Sequence, residues 1–242
     1  DGFGTQPADF TLVNVAQVTF PSKLVVKPDA MGAPVKSSLN ATSMICMTCH
    51  QGRESRASVD ANIATGKPSF RNVHYLAAGA TLMGTEAQVG YEYSGKMYVG
   101  RANHTGGINC TACHSGKNTK HTFKVADNLA TCQQVCHQGI NATTDIRVTK
   151  LSDYDGDGNT KESLAAELTG MANAALAQMQ TVAKANNNNA YGICYSGAAY
   201  PYWFKDTNMN GVCDGMEAIN ANSYGPWNAQ LVKAAFNLQF FN

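Results

Sequence analysis

The stretch CTACHSGKNTKHTFKVADNLATCQQVCH, residues 110–137, contains two clusters of cysteine and histidine. The first cluster, Cys110–His114, has the spacing Cys-x-x-Cys-His, and the second, Cys132–His137, has one more residue between its cysteines. Another regular copy, Cys46–His50, lies upstream. Cys-x-x-Cys-His is the attachment signature of c-type haem, in which two thiols bond to the macrocycle and the adjacent histidine ligates the iron. These motifs predict three covalently attached haems.

Other uses of paired cysteines fit this pattern less well. Zinc sites and redox dithiols also contain closely spaced cysteines, but neither requires a histidine directly after the second one. In the third motif a looser turn must absorb the inserted Val135, and an ordinary disulfide or a free pair remains an alternative there. We interpret all three motifs as haem sites, whose attachment residues are Cys46, Cys49, Cys110, Cys113, Cys132 and Cys136.

The histidines of the chain match the number that three six-coordinate irons require. Three of them directly follow attachment cysteines and are the expected proximal ligands: His50, His114 and His137. The other three, one for each haem, are the expected distal ligands: His74, His104 and His121. Methionine is the competing distal ligand, but Met47 lies inside a motif and most other methionines lie in predicted helices or glycine-rich loops. Bis-histidine ligation is favoured, although the spacing does not show which distal histidine serves which iron.

Saturated coordination limits the chemistry that such haems perform. An iron with two imidazole ligands has no open position for oxygen, peroxide or another substrate, which disfavours a redox enzyme. Such an iron instead passes electrons with little rearrangement of its ligands. Because few residues separate Cys113 from Cys132, we expect the macrocycles to lie close together and to exchange electrons by hopping.

Composition narrows the class of protein further. Charged residues make up 14% of the 242 residues, well below the usual quarter, so a conventional aliphatic core is not expected to suffice without the haems. The net charge of +1 and the scattered basic residues disfavour a nucleic-acid partner. No apolar run is long enough to predict a transmembrane helix. The chain begins at Asp1 without a methionine, which is typical of a processed N-terminus.

The predicted fold class is mainly α with much irregular loop and a few short strands. Residues 1–45 form a β-rich N-terminal arm, in which Phe10–Val26 alternates loosely around Pro21–Ser22 and predicts two short strands. The arm could pack on its own chain or pair with a neighbouring chain through an exposed edge. Residues 46–150 form the trihaem-binding region, which includes a predicted hairpin over Tyr91–Val99.

Residues 151–242 form a helical region that also carries loops and a cysteine pair. Apolar residues recur at intervals of three and four over Ser163–Ala185 and over Trp227–Gln239, which predicts two amphipathic helices. Cys194 and Cys213 lie outside the haem motifs. Because c-type haems are attached outside the bacterial cytoplasm, where a remaining cysteine pair can oxidise, we expect a disulfide between them.

Two segments of this region have the spacing of oxygen ligands in calcium-binding loops. In calcium loop 1 the expected ligands are Asp153, Asp155, Asp157, Asn159 and Glu162. Glu162 stands in for the glutamate of a full EF-hand, because that position is occupied by Leu164. In calcium loop 2 the expected ligands are Asp206, Asn208, Asn210, the carbonyl of Val212, and Glu217. The alternative is a solvated turn, since aspartate, asparagine and glycine also favour turns without a metal.

Several stretches resemble the multihaem c-type cytochromes that bacteria use for extracellular electron transfer. The resemblance covers residues 46–60 and 90–242, and it rests on Cys46–Ser55, Tyr93–Tyr98, Asp153–Asn159, Tyr200–Asn208 and Leu231–Gln239. It implies a fold in which stacked haems form much of the core. It also implies export through the periplasm to the cell surface or the extracellular space.

Some members of this family polymerise into filaments in which haems stack from subunit to subunit. The resemblance therefore implies a conducting filament subunit, with copies of itself, redox proteins or extracellular electron acceptors as partners. A soluble periplasmic or cell-surface electron shuttle is the alternative. The sequence does not discriminate between them, because filament contacts need no motif.

Overall fold

A computed structural model describes residues 15–29, 41–74, 76–101, 104, 109–114, 123–134, 136–147 and 152–241 of the chain. The predictions for Phe10, Leu12, His121 and Val135 lie outside these residues.

Most of the regular structure in the described residues is helical, as the sequence predicts. The α-helices are α1 (Ala41–His50), α2 (Arg56–Ala64), α3 (Ala78–Met83), α4 (Cys110–His114), α5 (Leu129–Gln133), α6 (Leu164–Asn186) and α7 (Ala229–Phe241). Short 3-10 turns occur at Gly84–Glu86, Val125–Asn128, Thr143–Asp145 and Asn220–Asn222. The strands form two antiparallel pairs, β1 (Val18–Thr19) with β2 (Val25–Val26) and β3 (Gly192–Tyr195) with β4 (Trp203–Asp206).

The N-terminal strands pack on their own chain. Val18 pairs with Val26 across the hairpin, and the hydroxyl of Ser22 in the turn donates a hydrogen bond to the carbonyl of Ala87. The strands belong to a first apolar cluster, which includes Val18, Phe20, Val26, Met44, Met47, Val59, Met83, Val232 and Phe236. Side chains from all three predicted regions therefore share one core, and for the described part of the arm the intramolecular alternative is observed.

A second apolar cluster lies between α6, α7 and the β3–β4 pair. Helix α6 matches its predicted range closely, because the hydroxyl of Ser163 accepts the backbone N–H of Ala166 at 3.2 Å and caps the first turn. Trp203 is buried at the centre of the cluster. Its ring packs edge-on against three aromatic rings at centroid distances of 6.0, 5.0 and 6.1 Å, those of Phe70, Tyr195 and Trp227.

Helix α7 begins and ends two residues later than the periodicity predicts. The side chain of Asn228 accepts the backbone N–H of Leu231 at 2.8 Å, and this cap places the first helical residue at Ala229. Trp227 therefore lies outside the helix, where its ring meets that of Tyr224 at a centroid distance of 5.1 Å. The apolar repeat included Trp227 because this partly buried residue packs against the same cluster as the helix.

The predicted hairpin over Tyr91–Val99 is wrong. A turn does form, with Lys96 donating its backbone N–H to the carbonyl of Tyr93 at 3.2 Å, but the flanking residues form no strands. The side chain of Asn237 on α7 makes two hydrogen bonds to the backbone of Tyr91. It accepts the N–H at 2.9 Å and donates to the carbonyl at 2.9 Å. The backbone groups that a strand partner would need are therefore occupied by a side chain from the far end of the chain.

The predicted disulfide between Cys194 and Cys213 is confirmed. The two Cα atoms lie 5.3 Å apart. Cys194 is a fully buried residue of β3, and Cys213 lies within calcium loop 2, between Val212 and Glu217. The bond therefore ties that loop to the edge of the second apolar cluster.

Removing this bond is expected to lower the free energy of unfolding. The cysteines are 19 positions apart, and closing a loop of this length stabilises a protein by about 3 kcal/mol in the chain-entropy account. We expect the Cys194→Ala/Cys213→Ala variant to lose about 3 kcal/mol in urea denaturation followed by far-UV circular dichroism. A thiol reductant should produce the same loss in the wild type, because thioethers resist it. An unchanged midpoint in both experiments would contradict the prediction.

Candidate haem and metal sites

The first motif lies at the end of α1, whose two sides differ. Met44 and Met47 are fully buried in the first apolar cluster. Cys46 is half-buried and Cys49 is exposed, and His50 follows in the last turn. Because residues three and four apart lie on one face of a helix, the methionines anchor α1 while the attachment residues face outward.

Backbone carbonyls orient two of the three proximal histidines. Nδ1 of His50 lies 2.7 Å from the carbonyl oxygen of Leu76, and Nδ1 of His114 lies 2.7 Å from that of Phe123. Because a carbonyl oxygen can only accept, Nδ1 must carry the proton in both rings. The lone pair is then on Nε2, which is the arrangement typical of a metal-ligating histidine. Both residues fit the proximal role that the motifs predict.

The first two motifs are in contact with each other. The hydroxyl of Ser43 on α1 accepts the backbone N–H of Cys110 on α4 at 3.0 Å. Burial raises the pKa of the Cys46 thiol, and the neighbouring thiol of Cys110 raises it further. All six motif cysteines are free thiols rather than disulfides. The first and second attachment sites therefore lie side by side.

A backbone hydrogen bond joins the two ends of the third motif. The backbone N–H of His137 donates to the carbonyl of Cys132 at 3.0 Å, five residues back. Burial raises the pKa of the Cys113 thiol, and the neighbouring thiol of Cys132 is the next largest cause. The second and third motifs are therefore also neighbours.

The structure brings one expected distal histidine next to a proximal one. The ring centroids of His104 and His137 are 6.2 Å apart, and the ring planes are inclined by 33°. His74 lies two residues before Leu76, and its backbone N–H donates to the side chain of Asn72 at 2.8 Å. Its φ of 65° places it in the left-handed region.

Calcium loops 1 and 2 share one backbone geometry. In loop 1 the carboxylate of Asp153 accepts the N–H of Gly158 at 2.9 Å, and in loop 2 the carboxylate of Asp206 accepts the N–H of Gly211 at 2.9 Å. The φ angles of the two glycines are 90° and 84°, values that favour glycine. Each aspartate is five residues before its glycine, so the spacing predicted this turn correctly.

The carboxylates of calcium loop 1 crowd together. Oxygen atoms of Asp155, Asp157 and Glu162 all lie within 4.8 Å of one another. Burial raises the pKa of Glu162, and the charges of Asp157 and Asp155 raise it further. The side chain of Asn159 donates to Glu162 at 3.4 Å. A divalent cation among these oxygens would relieve their repulsion.

Calcium loop 1 also contains a carboxylate that the sequence did not identify. Glu167 on α6 is fully buried, and its oxygens lie within 4.8 Å of those of Asp153 and Asp155. It accepts the N–H of Tyr154 at 2.7 Å and pairs with Arg147 at 2.7 Å. Burial alone raises the pKa of Glu167, but the Arg147 hydrogen bond and the backbone donors lower it by more. Its only sequence signal is its place in the first turn of a predicted helix.

Calcium loop 2 holds a buried carboxylate oxygen that lacks a hydrogen-bond partner. Glu217 is 4% exposed, and its Oε1 accepts the backbone N–H of Thr207 at 2.7 Å. Burial raises the pKa of Glu217, but its hydrogen bonds from Thr207, Asn208 and Asp214 together lower the pKa by more. Its Oε2 is buried and makes no hydrogen bond. Because a buried charged oxygen is costly without a partner, this atom fits a cation ligand.

The remaining expected ligands of calcium loop 2 occupy the turn between Asp206 and Glu217. The side-chain oxygen of Asn208 accepts the N–H of Asn210 at 3.0 Å, and that of Asn210 accepts the N–H of Val212 at 2.8 Å. These bonds fix the asparagine side chains within the turn, and calcium coordination would use oxygen ligands at these positions.

The motifs and their arrangement are those of a c-type cytochrome with several haem attachments on one chain. Comparison with known proteins agrees. The chain is 32% identical over 210 residues to the C-type polyheme cytochrome OmcB of Geobacter sulfurreducens, which is 77% of this chain and 25% of that protein. It is 31% identical over 208 residues to the C-type polyheme cytochrome OmcC of the same organism, which is 76% of this chain and 24% of that protein.

Over these residues the chain belongs to the multihaem c-type cytochromes, which confirms the family that the motifs indicate. It spans about a quarter of the length of these relatives. No family model and no solved structure matches it. Among the described residues, no helix combines the length and apolarity needed to cross a membrane.

Calcium loop 1 can be tested through Gly170 on α6. A Cβ at this position would collide with the carboxylate of Asp155. Alanine favours a helix over glycine by up to about 1 kcal/mol, so the Gly170→Ala variant should stay folded while Asp155 is displaced. We expect its calcium affinity at loop 1 to fall by about 10- to 100-fold, as for other changes beside a metal ligand.

The measurement is calorimetric titration of calcium in a Glu217→Gln background, which removes the contribution of loop 2. Gly90→Ala is the matched control, because a Cβ at Gly90 meets open space. Equal calcium affinity in Gly170→Ala and Gly90→Ala would show that Asp155 is not a ligand.

Proposed function

We propose that this chain is an exported trihaem c-type cytochrome that conducts electrons by hopping from haem to haem. The observation that carries the proposal is the contact between the attachment residues of successive motifs. Cys46 neighbours Cys110, whose backbone N–H donates to the hydroxyl of Ser43 at 3.0 Å, and Cys113 neighbours Cys132. Macrocycles tethered at neighbouring sulfur atoms are held close to one another, which is the condition for hopping.

The protein would control the electron transfer through the ligands of the irons. When bound, each haem supplies an iron that alternates between the ferric and ferrous states. The carbonyl contacts of His50 and His114 direct Nε2 toward the metal position. We assign the third proximal role to His137 and the distal roles to His74, His104 and His121. With six imidazoles for three irons, the protein is a carrier rather than an enzyme.

Exposed apolar side chains beside the motifs support a core completed by haem. Leu76 is 72% exposed and Phe123 is 56% exposed, although both are large and apolar. These are the residues whose carbonyls orient His50 and His114. A macrocycle on each histidine would lie next to such a side chain and cover it. The haems would then form much of the core, as the low charge content leads us to expect.

We propose that the protein is a subunit of an extracellular cytochrome filament. The family resemblance suggests this assembly, and an exposed apolar loop favours it. Met97 is 99% exposed and Val99 is 82% exposed, and apolar surface of this kind is often covered by a partner. The disulfide is consistent with an oxidising compartment outside the cytoplasm. The alternative is a soluble periplasmic or surface shuttle that docks transiently on redox proteins or extracellular acceptors.

We also propose that both calcium loops hold Ca2+. For loop 2 the proposal rests on Oε2 of Glu217, which is buried without a hydrogen-bond partner. For loop 1 it rests on the closely spaced carboxylates. The expected ligands of loop 1 are Asp153, Asp155, Asp157, Asn159 and Glu162, to which we add Glu167. Those of loop 2 are Asp206, Asn208, Asn210, the carbonyl of Val212, and Glu217. The role of calcium would be structural.

The haem proposal is tested on the exported holoprotein by mass spectrometry and optical spectroscopy. We expect a mass that exceeds the polypeptide mass by three haems, and a resting ferric spectrum that is entirely low-spin. The Cys132→Ala/Cys136→Ala variant should lose one haem, whereas Cys194→Ala/Cys213→Ala should lose none. Fewer than three haems in the wild type, or a high-spin component, would contradict the trihaem carrier.

The assembly is tested by electron microscopy of protein sheared from cells without denaturant. Absorbance at the haem bands identifies the imaged material as cytochrome. Filaments with a repeat of one subunit are expected for the conducting polymer. Discrete particles with the mass of a single chain would contradict the filament and favour the electron shuttle.

Calcium in loop 2 is tested by the dependence of thermal unfolding on calcium. A ligand present at about 100 times its dissociation constant stabilises a protein by about 2.7 kcal/mol per site. We expect calcium to raise the melting temperature of the wild type and to raise that of Glu217→Gln by much less. Glu92→Gln, which removes a carboxylate outside both loops, should respond like the wild type. An identical response of Glu217→Gln would disprove the site.

A further inference from the structure

We propose that His104 is the distal ligand of the iron whose proximal ligand is His137. The inference rests on the proposed function, because the third motif must carry a haem. It settles one of the three histidine pairings that the sequence leaves open. It also assigns a histidine that precedes the second motif to the haem of the third.

The separation of the two rings carries the proposal. Two imidazoles that ligate one metal from opposite sides, each through a metal–nitrogen bond of about 2 Å, have ring centroids about 6 Å apart. The centroids of His104 and His137 are 6.2 Å apart. The rings are also inclined by only 33°, and two axial ligands that both stand upright on one macrocycle can adopt this inclination.

Ordinary packing does not explain the approach of these rings. His104 is exposed and His137 is only half-buried, so burial does not force them together. Aromatic pairs that attract each other favour an offset-stacked or an edge-to-face arrangement. Rings inclined by 33° at 6.2 Å adopt neither arrangement closely. A shared ligand between the rings gives both the distance and the inclination a common cause.

The connection of His104 to the second motif makes the pairing sterically reasonable. His104 is six residues before Cys110, and a chain of six residues spans at most about 20 Å. The thiol of Cys113, in the same short helix as Cys110, neighbours that of Cys132. His104 can therefore reach His137 while α4 presents the second pair of thiols. The segment from 104 to 110 then links the iron of the third haem to the attachment site of the second.

The test replaces histidine with methionine as a spectroscopic label. In the three-haem protein, His104→Met should convert one haem to histidine–methionine ligation. The readouts are the near-infrared sulfur-to-iron charge-transfer band of the ferric protein and the appearance of one haem with a raised reduction potential. His74→Met is the matched control and should likewise convert one haem.

The converted haem is located by repeating both substitutions in the Cys132→Ala/Cys136→Ala background, which keeps the first two haems. We expect His104→Met to add no charge-transfer band there, because its iron is absent, while His74→Met still adds one. A band from His104→Met in this background would overturn the pairing.

A second measurement applies where the two-haem background does not fold. In the reduced three-haem His104→Met protein, the methyl group of the ligating methionine is shifted upfield by the macrocycle. Nuclear Overhauser effects should connect this methyl group to the haem bonded to Cys132 and Cys136. Connections to another haem would overturn the pairing. A wild type with fewer than three haems would instead contradict the proposed function itself, so the two failures are distinguishable.

Discussion

A hydrogen bond from an imidazole Nδ1 to a backbone carbonyl controls how two of the motif histidines can be used. It fixes the tautomer of His50 and His114, and it fixes the direction in which Nε2 points. The first of these rings is at the end of α1, which Met44 and Met47 hold in the core. Packing of apolar side chains and orientation of the His50 ring are therefore parts of one arrangement, and a disturbance of the core would change the orientation of the proposed iron ligand.

Features that depend on local sequence were predictable. The period of apolar residues predicted α6, and the turn residues predicted the N-terminal hairpin. The disulfide was predicted because Cys194 and Cys213 are the two cysteines outside the haem motifs. The absence of the hairpin over Tyr91–Val99 was not predictable, because the backbone groups of Tyr91 bond to Asn237, 146 positions away. The local sequence pattern contains no information about so distant a side chain. The start of α7 was shifted for a different reason, since Trp227 packs against the second apolar cluster without being helical.

The candidate sites divide in the same way. Attachment cysteines and proximal histidines can be proposed from spacing, because thioether chemistry requires them to be adjacent. The position of His104 beside His137 is a tertiary contact, and the spacing of histidines contains no information about it. The sequence did not identify Glu167 as a candidate ligand for a related reason. Counting along a loop finds ligands within the loop, whereas this carboxylate reaches calcium loop 1 from the helix that follows it.

The cysteines of this chain are expected to undergo two different reactions, disulfide formation and haem attachment, in one compartment. Cys194 and Cys213 are joined by oxidation, while the proposed haem attachment would require six other cysteines to stay reduced until they bond to a macrocycle. Cys46 and Cys110 are neighbours, so an oxidant could join them as well. That cross-link would remove one attachment sulfur from each of two motifs. Under the proposed function, maturation would be a kinetic competition for sulfur, in which a chain that folds before its haems are attached can block its own completion.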